Sequence, residues 1–302
     1  MMQSWNLQLL DLYDAAISFV LVAITTLLGL SPYEFSDVAY NLSRTVSSAL
    51  VGVGVALVVL FFITDLAGTA VTLKVKDKDE VLKHFVMLLL GVAIVRGSSW
   101  LMFYIFTELQ VIWQTILSVT MPVGAGLDGS LYFTGDTWAS SLREMIEADG
   151  STPFWDVMGH VESVLLFIFL LTSLLGVGGM LLSVLLVPIA IFIELYIYAA
   201  FAPIPLSTLA SSQRQIAIGY LKVFAGVCIR AAVMMFGISL SAAIISSDAF
   251  NLSDFAAGTV VEGFLVALVP VMQLVVSIMI LQKAVKSAQG FANTLVGANS
   301  IT

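Results

Sequence analysis

Hydrophobic positions along this chain are gathered into long blocks, and most polar residues fall in the gaps between them. A helix rises about 1.5 Å per residue and a hydrocarbon core is about 30 Å thick, so about 20 apolar residues make one crossing. Five regions hold a stretch of that length: 46–73, 85–119, 161–202, 219–246 and 258–281. The second is long enough to tilt or to project beyond the bilayer. A sixth block, 15–30, is marginal at about 24 Å of helix, and lies in the interface or crosses a thinned bilayer. The pattern predicts an all-α polytopic transmembrane bundle forming one integral membrane domain over residues 1–302.

Region 161–202 sets the topology problem. As one helix it would be about 63 Å long, about twice the hydrocarbon thickness. Gly176, Gly178 and Gly179 interrupt it, and the run Phe201-Ala-Pro-Ile-Pro-Leu206 ends it. Proline lacks an amide donor and disfavours helical geometry in the residue before it, so Pro203 and Pro205 terminate the helix. Pro188 and Pro270 are expected to bend the spans that hold them.

Composition agrees with the blocks. Hydrophobic residues make up 60% of the 302, charged residues 11%, and mean hydropathy is +1.05. A soluble domain carries about 25% charged residues. Residues 1–30 contain no Lys or Arg, so they lack the basic region of a secretory signal and are expected to be retained. Cys228, the single cysteine, lies in an apolar segment and is read as packing.

Charge then orients the spans, because Lys and Arg stay on the cytoplasmic side. Lys74, Lys76, Lys78 and Lys83 crowd the loop 74–84; Arg214 and Lys222 flank the linker 203–218; Lys283 and Lys286 follow the last span. All three places, and the C-terminus, are expected on the cytoplasmic face. Segment 121–160 holds Asp128, Asp136, Glu144, Glu147, Asp149 and Asp156 against Arg143, which suits an outer-face loop. Its turn residues frame a short amphipathic helix over 137–148. His160 outside and Arg214 inside require an odd number of crossings between them. The economical solution is one crossing over about 181–202 after a non-crossing segment 161–175, either re-entrant, interfacial or extending beyond the bilayer, with the three glycines either supplying a break or letting helices pack closely.

Four charges lie well inside spans: Asp65, Arg96, Glu194 and Arg230. Counted from the expected cytoplasmic ends, they sit at depths of about 12, 17, 14 and 17 Å. A charge at the bilayer centre costs a few kcal/mol unless it faces protein or water. Two acids and two bases in one layer are the composition of a self-neutralising network between helices; the alternative is that each snorkels or faces a neighbouring subunit.

Catalytic chemistry is poorly represented. The chain has no phosphate-binding loop, no His-Glu-x-x-His and no cysteine pair, so no catalytic residue, metal site or cofactor is expected. With 12 basic against 20 acidic residues, an exposed nucleic-acid surface is not expected either.

The segment Glu194-Leu-Tyr-Ile-Tyr-Ala-Ala-Phe-Ala-Pro-Ile-Pro-Leu-Ser-Thr-Leu209, followed by Gly219-Tyr-Leu-Lys222 and the helix holding Arg230, resembles the TrbL-like polytopic subunit of type IV secretion and conjugation systems. The resemblance is close over about 40 residues and extends as a hydropathy profile over the rest; a long soluble C-terminal extension of the kind some family members carry is not expected. It implies a non-enzymatic, oligomeric component of the bacterial cytoplasmic membrane, working with a secretion ATPase and small membrane subunits to move DNA-protein complexes or effector proteins. The basic residues of the two loops, Lys74, Lys76, Lys78, Lys83 and Arg214, would then face the cytoplasmic partner. The alternatives are a secondary transporter or ion channel, which shares broken helices and midplane charges, and a membrane scaffold or immunity-type protein.

Overall fold

The computed structural model describes residues 2–71, 78–120, 155–245 and 264–295, and every regular element among them is helical. In chain order these are α1 (Met2–Gly29), α2 (Pro32–Phe35), α3 (Asp37–Val71), α4 (Lys78–Arg96), α5 (Ser98–Thr120), α6 (Trp155–Phe201), α7 (Pro203–Leu206), a 3-10 turn (Ser207–Ala210), α8 (Gln215–Ile245) and α9 (Phe264–Leu295). Three stretches, Asp37–Gly68, Phe167–Phe201 and Gln215–Ser241, are long and apolar enough to cross a membrane, and a fourth arises if α4 and α5 cross as a bent pair. The chain is therefore a helical membrane protein with three or four such spans among its described residues. Of the remaining expected stretches, 15–30 lies within and just beyond α1, and 258–281 begins outside the described residues and continues into α9.

The expectation of a break at the three glycines is corrected. Helix α6 runs uninterrupted for 47 residues through Gly176, Gly178, Gly179 and Pro188. That geometry excludes a re-entrant reversal in this region. A helical glycine costs about 1 kcal/mol against alanine, which a long apolar helix absorbs. A Cβ built on any of the three glycines meets nothing within 4 Å among the described residues, so they serve no close approach to them. The break lies instead in the second region. There α4 and α5 meet at 70° across the run Arg96-Gly97-Ser98-Ser99, and Gly/Ser pairs are a known cause of sharp kinks.

The described helices gather into two compact units, with α5, α6, α8 and α9 each contributing to both; within α6 the division falls after Pro188. In the first unit, Tyr13 of α1 donates to the Leu170 carbonyl at 2.9 Å and hydrogen-bonds Ser173. The Trp5 ring stands edge-on to Phe167 nearby, at 6.4 Å. The second unit is built around aromatic residues. Phe35 of α2 stacks on Phe192 of α6 at 4.1 Å, Phe106 of α5 packs against the same ring at 5.8 Å, and Tyr40 of α3 meets Phe103 at 4.6 Å. The short α2 is fixed by a reciprocal cap, in which Ser31 Oγ accepts the Glu34 amide and the Glu34 carboxylate accepts the Ser31 amide. These bonds hold the Glu34 carboxyl below the usual carboxylate range.

Candidate functional site

The apolar register of α6 buries Ile191, Phe192, Leu195, Tyr196 and Ala199, leaving Glu194 on the flank that faces α8. Helix α8 buries Phe224, Val227, Cys228 and Ala231, and Arg230 falls in the same buried stripe. The result is an ion pair. Arg230 Nη1 donates to both Glu194 carboxylate oxygens, at 2.9 and 3.0 Å. Arg230 is nearly enclosed, with 6% of its side chain exposed, whereas Glu194 keeps 35% uncovered. Arg230 Nε has no hydrogen-bond partner, so the guanidinium depends on Glu194 for its charge compensation. Arg230 lies about 22 Å along the helix from Gln215, well inside a span.

The other two interior charges are placed elsewhere. Asp65, near the end of α3, accepts hydrogen bonds from the Ser212 amide at 2.9 Å and the Ser212 hydroxyl at 2.8 Å. It caps the turn after the 3-10 segment. Arg96 is the last residue of α4 and is exposed; among the described residues it has no ion-pair partner. The single layer of four expected from counting is thus one pair, one cap and one outward-facing arginine.

The proline segment differs most from its expected character as part of a loop over 203–218. Pro203, Leu206, Ser207, Thr208 and Ser211 are buried, and the exposed positions of the linker are Ile204, the run from Ser212 to Ile216, and Ile218. Two glycines make room for it between α3 and α4. A Cβ on Gly54 would lie 2.7 Å from the Pro203 carbonyl oxygen and 2.7 Å from Val95 Cγ1; one on Gly91 would lie 2.9 Å from Ala210 Cβ and 3.0 Å from Val58 Cγ1. Buried backbone requires partners, and local hydroxyls supply them. Ser207 donates to the Ile204 carbonyl, Thr208 to Pro205, and Ser211 to Thr208, while Thr208 Oγ1 accepts the Ala217 amide. The preceding turns of α6 are tied to their neighbours in the same way. Ser43 donates to the Tyr196 carbonyl at 2.9 Å, Tyr196 Oη to Pro32, and Tyr220 Oη to the Tyr198 carbonyl.

Gly54 and Gly91 were not among the residues that sequence reasoning brought forward. Their signal, a small residue inside a long apolar helix, is shared by Gly176, whose surroundings are open. Lys74 and Lys76 lie outside the described residues, as does segment 121–160 up to residue 154; Lys78 opens α4, and Lys83 and Arg214 are exposed. Among the described residues no group of His, Cys, Asp and Glu could hold a metal ion.

An α-helical membrane protein with a mid-span arginine–carboxylate pair and a buried proline connector is the class this arrangement defines. Comparison of the chain with protein-family models, with characterised proteins and with solved structures returned no match.

Proposed function

We propose that this chain is a non-enzymatic component of a type IV secretion or conjugation machine in the bacterial cytoplasmic membrane. In this reading it assembles as an oligomer with a cytoplasmic secretion ATPase and small membrane subunits, and helps form the path taken by DNA-protein complexes or effector proteins. Its C-terminus lies on the cytoplasmic side, and the basic residues Lys78, Lys83 and Arg214 face the ATPase.

One observation carries the reading. The stretch by which the chain resembles the TrbL-like family, residues 194–209 with 219–222 and Arg230, is the stretch that supplies the ion pair and the clamped connector. A carboxylate with a third of its surface uncovered inside a span also favours contact with protein or water over lipid.

Deleting the gene from a conjugative donor tests this. Transfer is expected to fall to background and to return with the intact chain, and the purified protein is expected to retain the secretion ATPase. The bent α4–α5 pair favours a transporter or channel as the second reading. Normal transfer in the deletion strain, together with solute uptake by proteoliposomes holding the purified protein, would establish that reading instead.

A further inference from the structure

Helix α9 carries two lysines for which the secretion reading has no use. Its exposed residues Met272, Val276, Met279, Lys283 and Lys286 recur at spacings of four and three, so they form one stripe along the helix. The stripe changes character partway, apolar as far as Met279 and basic from Lys283. Residue 281 ends the apolar block of the last expected span, so the two lysines fall where hydrocarbon gives way to water. From Met272 to Lys283 the helix rises about 17 Å, close to the depth of one leaflet's hydrocarbon at about 15 Å.

An open cavity of about 370 Å³ lies on the stripe at this boundary, lined by Met279, Gln282, Lys283, Lys286 and Ser287. Two ammonium groups, an amide and a hydroxyl are the donors of that lining. Helix α9 contains no Asp or Glu, and among the described residues neither lysine has a carboxylate partner. Positive charge without compensation in a concave site matches an anion, and Lys binds phosphate as a point charge. The apolar stripe running up to the cavity matches an acyl chain attached to that anion. An anionic phospholipid carries the two parts in this order, whereas a soluble anion would leave the stripe without a role.

We propose that this face of α9 binds an anionic phospholipid, with the headgroup phosphate at Lys283 and Lys286 and one acyl chain along Met279, Val276 and Met272. The proposal needs only that α9 be embedded in a membrane, and it stands whether or not the chain belongs to a secretion machine.

Native mass spectrometry of the purified full chain in detergent, titrated with phosphatidylglycerol, phosphatidylcholine or inorganic phosphate, tests it. Phosphatidylglycerol is expected to bind saturably, and phosphatidylcholine far more weakly. A lysine beside an anionic lipid is worth about fivefold in affinity, so Lys283→Gln or Lys286→Gln is expected to weaken phosphatidylglycerol binding about fivefold and the double variant about 25-fold. Lys283→Arg with Lys286→Arg keeps both charges and is expected to retain the lipid. Lys222→Gln, an exposed lysine on α8, is expected to leave binding unchanged. Equal binding of the two lipids, undiminished affinity in the double glutamine variant, or an equal loss in Lys222→Gln overturns the proposal. Inorganic phosphate that displaces phosphatidylglycerol at matching concentration identifies a site for the free anion, and overturns the lipid assignment.

Discussion

Arg230 reaches across from α8 to place one nitrogen, Nη1, within 3.0 Å of both oxygens of Glu194 on α6. The two partners are unequally enclosed, at 6% and 35% side-chain exposure, and that inequality controls what each substitution does. Losing one partner of a buried pair strands the other charge, at a cost of about 3–5 kcal/mol when that charge is fully buried.

Glu194→Ala strands the enclosed guanidinium and is expected to destabilise the protein by about 3 kcal/mol. Arg230→Met strands the half-open carboxylate and fills the space with a flexible apolar chain, so a loss of about 1–2 kcal/mol is expected. Thermal unfolding in detergent measures both. A larger loss for Arg230→Met would mean that the pair's burial is distributed the other way in the assembled protein.

Glycine substitutions separate the clamped connector from open helix. Gly54→Ala drives a Cβ into the Pro203 backbone, which has little room to retreat, and is expected to cost about 1–3 kcal/mol. Gly91→Ala meets side-chain methyls of Ala210 and Val58 and is expected to cost less. Gly178→Ala, in open space within an uninterrupted helix, is expected to stabilise by about 0.5–1 kcal/mol. Denaturation midpoints of the three variants against the native chain check this order.

Asp65→Ala removes both acceptors from Ser212, and a loss of about 1 kcal/mol is expected on the scale of a helix cap. Hydrogen exchange gives the sharper reading. The Ser212 amide should exchange faster in the variant, while the Ala217 amide, held by Thr208 Oγ1, should be unchanged.

Glu34 makes the cap of α2 sensitive to acid. Its folded-state pKa is lowered by the Ser31 amide and hydroxyl, so its stabilising contribution is present above the unfolded value and fades as pH falls through the folded one. Protection of the Ser31 amide, taken relative to its intrinsic exchange rate at each pH, is expected to fall in the native chain as the Glu34 carboxylate is protonated in acid. Glu34→Gln should exchange faster at neutral pH and lose that acid dependence.

Burial of polar atoms explains why part of the site was legible along the chain and part was not. Glu194 and Arg230 stand out because any charge inside an apolar block is costly wherever it points, so its presence alone signals a partner. The identity of that partner was not legible. Counting residues gives depth but not the direction around a helix, and Asp65, at a similar count, is turned toward Ser212. The same limit applies to breaks. Gly176, Gly178 and Gly179 of α6 and Gly97 look alike as residues, yet α6 continues through its three while the helix breaks at Gly97.

The amino-acid sequence by itself determined that the chain is helical and membrane-embedded, where its long apolar helices lie, and which charges would need compensation, because transfer of residues from water to hydrocarbon is a sum over composition and length. Tertiary structure alone decided that Arg230 takes Glu194, that Asp65 caps Ser212, that the proline connector is buried behind Gly54 and Gly91, and that α4 and α5 meet at a corner. Each of these depends on which faces meet across tens of residues, and a gap so narrow that an added Cβ on Gly54 would lie 2.7 Å from the Pro203 oxygen is a property of two backbones together.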